Sequence, residues 1–177
     1  MEDLELLKYP IGKFQPLAEY NAEIRSAEID RIASLPDRLA TSVAGFSEDQ
    51  FTTPYRPGGW TVKQLIHHLA DSHLHAWIRI KWALSEENPT IKAYDEKKYA
   101  ETPDNLLSPA SSLNLLAAHH HKWSSALRLL SPEQFERSFI HPATGAAVTV
   151  KRMVSLYAWH GDHHLAHIIA LKLRMGW

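Results

Sequence analysis

Apolar residues recur every three to four positions through four long stretches of the chain, the pattern of amphipathic helices rather than strands. The first stretch covers about residues 18–45, and Leu35-Pro36 within it reads as a helix boundary or interruption. A loop containing TTPYRPGGW follows. The second helix runs from about Val62 to Ser85: Thr61 with Gln64 three residues on makes a capping-box start, and EENPT marks the end. Residues 88–108 are polar and broken by Pro89 and Pro103, which predicts a long connection crossing the molecule. Ser108-Pro109 opens a third helix to about Leu130, and Ser131-Pro132-Glu133 begins a short helical turn. SFIHPATGAAVTV, centred on Thr144-Gly145, predicts a small hairpin. The last helix extends from about Val150 to Met175, capped by Thr149 and closed by Gly176. The expected fold is all-α, a four-helix bundle with a small hairpin before the last helix, as a single domain over residues 1–177.

Composition narrows the function classes. With 177 residues, 45% of them apolar and 22% charged, one globular domain is expected. The formal charge of −1, with no Lys/Arg run longer than two, lacks the footprint of a nucleic-acid binder. No apolar run approaches the roughly 20 residues that span a bilayer. The acidic start MEDLELLKYPIG does not resemble a secretory signal, so a cytoplasmic location is expected. Cysteine is absent, which removes disulfides, thiol nucleophiles and Cys-based zinc sites. Histidine is in excess, with 12 residues.

The histidines are also clustered. WHGDHHLAH in the last helix places His160 and His164 four residues apart, and likewise His163 and His167, so each pair shares a helix face. Val150, Met153, Val154, Tyr157, Ile168 and Leu171 define the apolar stripe; His164 lies within it, His160 at its edge, and His163 well away. His160 and His164 are therefore the expected ligand pair, although the H-x-x-x-H spacing is short and common in histidine-rich chains. The second helix supplies HHLADSHLH at residues 67–75. Its stripe of Val62, Ile66, Leu69, Ile80 and Leu84 includes His73, whereas His68 lies roughly 120° from the stripe centre. Periodicity thus favours His73, though a buried histidine is more often a hydrogen-bonded core residue. Of His119, His120 and His121, at least one must face solvent. The six tryptophans read as core or edge anchors, and His141 as a surface residue that could line a pocket. There is no H-E-x-x-H, no Glu-x-x-His, no G-x-S-x-G and no phosphate-binding glycine loop.

Beyond spacing, YPIGKF, TPYRPGGWTVKQLIHHLADSH, AYDEK, LYAWHGDHHLAHI and RMGW occur in order from residue 9 to Trp177. Together they resemble the YfiT-like metal-dependent hydrolases of the DinB-like superfamily. The resemblance implies a homodimeric bundle with one zinc or nickel ion per chain, held by His68, His160 and His164. On helix two it conflicts with periodicity, and the resemblance is followed. Three neutral imidazoles would leave an open position where a water is activated for hydrolysis of a small-molecule substrate. Asp71, Asp95 and Asp162 are available carboxylates, with Asp162 a candidate for orienting a ligand and Tyr94-Asp95-Glu96 for covering the site; the catalytic base is not identified. The same superfamily implies a rival activity, a low-molecular-weight thiol S-transferase of the bacillithiol type that would bind a thiol cosubstrate at the open position. A third reading is a non-enzymatic metal-binding bundle. No nucleic-acid or membrane partner is expected.

Overall fold

Asn21 begins the first long helix by accepting a hydrogen bond from the Ile24 backbone N–H at 2.9 Å. The structure, a computed structural model, describes residues 4–177, so residues 1–3 of the expected domain lie outside the described residues. In chain order the elements are α1 (Leu4–Lys8), α2 (Ala22–Ser42), α3 (Glu48–Thr52), α4 (Val62–Ser85), α5 (Glu96–Tyr99), a 3-10 turn (Pro103–Leu106), α6 (Ala110–Arg128), α7 (Pro132–Glu136), β1 (Ser138–Ile140), β2 (Ala147–Thr149) and α8 (Val150–Met175). Capping boxes at Thr61/Gln64 and Ser131/Gln134 start α4 and α7, and Thr149 caps α8. A further box, Ser47/Gln50, starts α3 just ahead of the loop expected there.

The expected interruption at Leu35-Pro36 does not occur, because α2 continues through a buried Pro36. Proline has no N–H to give the carbonyl four residues back, which is that of Ile32. His120 Nδ1 on α6 donates to that carbonyl instead, at 2.6 Å. A tertiary bond thus replaces the missing helical one.

The four long helices form the bundle. α2 packs against α6 and α8, and α4 packs against the same two, so the consecutive helices α2 and α4 lie across a diagonal from each other. Gly161 lets α8 approach α2: a Cβ there would stand 2.5 Å from Leu35 Cδ2. The hairpin pairs Ser138 with Thr149 and Ile140 with Ala147, turning at Gly145 in the left-handed region. Ile140 also bonds Pro89 and Ile91 through the backbone, at 2.8 and 3.1 Å, which pins the long connection before it crosses α4. No helix among the described residues is long and apolar enough to cross a membrane.

The core consists of two apolar clusters. One holds Ile32, Ala76, Trp123, Tyr157 and Ala158; the other holds Leu35, Leu69, Ala70, Leu116, Leu165 and Ile168. Along α4 the clusters part between Ala70 and Ala76, along α6 between Leu116 and Trp123, and along α8 between Ala158 and Leu165. His73, His120, His160 and His164 occupy these gaps, so the bundle carries a polar layer across its middle.

Candidate metal centre

His68 on α4 and His160 and His164 on α8 converge, each offering a ring nitrogen within 4.8 Å of the others. His160 Nε2 lies 3.4 Å from His68 Nε2 and 3.2 Å from His164 Nε2. Burial pushes the His68 imidazole down to about 4; His160 and His164 are held well below the usual range, by burial first and then by neighbouring histidines. All three are therefore neutral near pH 7, with lone pairs available. Nitrogens bound about 2.0–2.1 Å from a tetrahedral ion stand about 3.3–3.4 Å apart. The observed separations of 3.2 and 3.4 Å match that spacing, so the residues fit a zinc-like ion.

Other side chains hold these rings in place. Trp60 packs on His68 with ring centroids 4.6 Å apart. His160 Nδ1 meets His73 Nε2 at 3.1 Å, and His73, fully buried, stacks on His120 at 4.9 Å. Periodicity correctly places His73 in the core, but it lies behind His160 rather than in the cluster of three. His119 Nε2 donates to the His73 carbonyl at 3.1 Å, and His121 is exposed.

His163 departs from the expected outward orientation. It and His167 are buried, their Nε2 atoms 3.1 Å apart, and with His164 they form a second histidine cluster. The physical reason is a cover outside the four-helix pattern: Trp159 stacks on His163 at 4.5 Å, Tyr9 adds a ring at 6.1 Å, and Tyr55 lies 4.2 Å from His167. The segment before α2 and the loop between α3 and α4 therefore bury a second face of α8.

The first cluster opens into a cleft of about 520 Å³. Ser72, Arg79, Tyr94, Glu96, His141 and Tyr157 contribute to its walls, so His141 is a cleft residue rather than a surface one. Ser72 Oγ and Tyr157 Oη are 3.1 Å apart, and the Tyr157 ring lies 5.2 Å from that of His160. Tyr94 stacks on His75 at 4.2 Å and brings the long connection over the opening; burial raises its hydroxyl to about 12. Asp71, Asp95 and Asp162 do not line the cleft. Asp162 is drawn to the opposite side by Arg31 and Arg38, at 2.7 and 2.8 Å, and does not orient His160. Asp95 caps α5, and Asp71 is half-buried elsewhere on α4, its carboxyl raised by burial and then by Asp104. Glu96, from the Tyr94-Asp95-Glu96 segment expected to cover the site, is the carboxylate of the lining, and Tyr94 lines the cleft with it.

Fold and cluster together define a four-helix-bundle protein with a candidate three-histidine metal centre. The sequence profile of the DinB superfamily matches residues 13–168, and the chain belongs to that family. It is 49% identical over 170 residues to a protein of Oceanobacillus iheyensis, covering 96% of this chain and 98% of the relative. It is 44% identical over 172 residues to YfiT of Bacillus subtilis, covering 97% of each. Both relatives carry the name "Putative metal-dependent hydrolase". The solved structure of Bacillus subtilis YfiT, described as having "an unusual four-helix bundle topology", superposes with a TM-score of 0.94 at 43% identity, over 97% of this chain and 99% of that one. A mycothiol-dependent maleylpyruvate isomerase shares the fold at a TM-score of 0.60 and 18% identity, over 78% of this chain and 60% of that one.

Proposed function

We propose that the chain is a metal-dependent hydrolase acting on a small molecule, with one zinc or nickel ion held by His68, His160 and His164. The observation that carries this reading is the convergence of three neutral imidazoles, at separations of 3.2 and 3.4 Å, at the floor of an open cleft. When bound, such an ion supplies Lewis acidity, polarising a carbonyl and lowering the pKa of a water toward about 7. The chain's residues supply the rest. His73 and Trp60 fix the rings of His160 and His68. Glu96 is the cleft carboxylate available to accept a proton, and the Ser72–Tyr157 pair presents hydroxyls beside His160. Tyr94 covers the opening against bulk water.

The thiol S-transferase implied by the family resemblance would use the same three histidines, as would a purely structural ion, so the experiment must separate them. Protein purified without a nickel column is analysed for metal beside His68→Ala and His160→Ala, and the loaded wild type is assayed against activated esters and alkylating electrophiles with and without an added thiol. The expected result is about one zinc or nickel per chain, lost in both variants, with ester cleavage independent of thiol. Turnover only with thiol would move the assignment to transfer; metal without turnover would favour a structural ion; metal retained in His68→Ala would displace His68 from the ligand set. The homodimer implied by the family resemblance belongs to the same proposal and is checked by light scattering.

A further inference from the structure

Arg79 sits on α4, and only 8% of its surface is exposed. A guanidinium cannot shed its charge, so burying one is costly unless a carboxylate or a set of carbonyls meets it. Half-buried Arg31 and Arg38 are met in this way by Asp162, and Arg137 by the Ala83 and Glu86 carbonyls, whereas half-buried Arg25 rests on the Phe135 ring. Among the described residues Arg79 makes neither a hydrogen bond nor an ion pair. Its one ring contact is with Tyr94, 5.7 Å from the centroid, and its Nε is buried without a partner.

The same residue lines the cleft above the three histidines. Glu96, the acidic residue of that lining, is exposed on α5 and beyond ion-pair distance of Arg79. With a divalent ion at the histidines, the cleft would carry a positive excess that favours an anion. Its volume of about 520 Å³ falls in the range of about 300–1,000 Å³ typical of small-molecule sites. A single planar fork matches one carboxylate, whereas a phosphate dianion would call on more cationic donors than this lining offers.

We propose that Arg79 receives a carboxylate of the small molecule handled at the His68–His160–His164 centre, so that the substrate class is a carboxylate-bearing compound whose reacting group lies at its other end. This rests on the reading of the three histidines as a metal centre. The guanidinium supplies the cationic half of that ion pair from the cleft wall.

The test uses zinc-loaded full-length protein and a series of ω-mercaptoalkanoates with one to five methylenes, beside the matching mercaptoamides. The thiol ligates the ion in every probe, and only the far end differs. Calorimetry on the wild type should show one chain length at which the acid binds at least about tenfold tighter than the amide. In Arg79→Gln that ratio should fall to near one, with metal content unchanged, and in Arg79→Lys part of it should return. Equal binding of acid and amide at every length, or a preference that survives Arg79→Gln, would overturn the inference and leave the metal centre standing. Failure of acids and amides alike to bind would instead overturn the metal-centre reading, and this inference with it.

Discussion

A histidine that ligates through Nε2 keeps its proton on Nδ1, and the group that accepts this proton fixes the ring's tautomer and direction. For His160 that group is His73 Nε2, at 3.1 Å. The usual acceptor in such sites is a carboxylate or carbonyl, and here a fully buried neutral imidazole takes its place. Replacing His73 with Phe preserves the ring but removes the acceptor, and should weaken metal affinity by about 10- to 100-fold without abolishing binding. Competition with a chelator of known affinity measures this, and His73→Gln, whose amide oxygen can accept, should recover part of the loss. The same pair explains why periodicity ranked the helix-two histidines as it did. His68, a candidate ligand facing the cleft, sits half-buried at the edge of the buried stripe, while His73, which supports His160, sits at the stripe's centre. Hydrophobic pattern finds the support before it finds the ligand.

The bond from His120 to the Ile32 carbonyl does for α2 what a backbone N–H does elsewhere in a helix. His120→Leu should therefore strand a buried carbonyl and cost about 1–3 kcal/mol in urea unfolding. In a Pro36→Ala background, where the helix can bond that carbonyl itself, the same substitution should cost less, and a double-mutant cycle reads the difference. The bond also has a pH signature. Burial holds the folded His120 imidazole down to about 4, against 6.5 for an ordinary one, despite the opposing pull of the Ile32 carbonyl. The unfolded chain then binds more protons between these values, so this contribution is present above about pH 6.5 and is lost as pH falls to about 4, on the order of 3 kcal/mol in all. Stability measured across that window should fall less steeply in His120→Leu than in the wild type. Helix ends were legible in the sequence because caps are local: Thr61/Gln64, Thr149 and Gly176 each lie beside the terminus they make. The capping box that starts α3 was equally local and was overlooked. The continuity of α2 was not legible, since the group that satisfies Ile32 lies 88 residues away on another helix. Nor was the burial of His163 and His167, which depends on Tyr9 and Tyr55 folding over α8 from outside the bundle.

The three candidate ligands come from α4 and α8, two helices that pack directly, α4 braced by α6 and α8 by α2. An ion there would bind the folded arrangement and not the unfolded chain, where residues 68 and 160 are far apart, so occupancy and stability are linked. At a free concentration 1,000 times its Kd, an ion adds about 4 kcal/mol, which for a chain of this size is a melting-temperature difference of roughly 8–16 °C. Chelation should lower the wild-type Tm by an amount of that order, while His68→Ala and His160→Ala, already without the ion, should melt at the same temperature with or without chelator. The second cluster makes stoichiometry part of the same experiment. His164 belongs to both groups of three, and its Nε2 faces His160, while Trp159, Tyr9 and Tyr55 close over His163 and His167. Occupation of the open cluster commits the shared histidine, so His163→Ala and His167→Ala should each retain about one ion per chain and the chelator response. Two ions in the wild type, falling to one in these variants, would show instead that the covered cluster is a site in its own right and that His164 serves both through its two ring nitrogens.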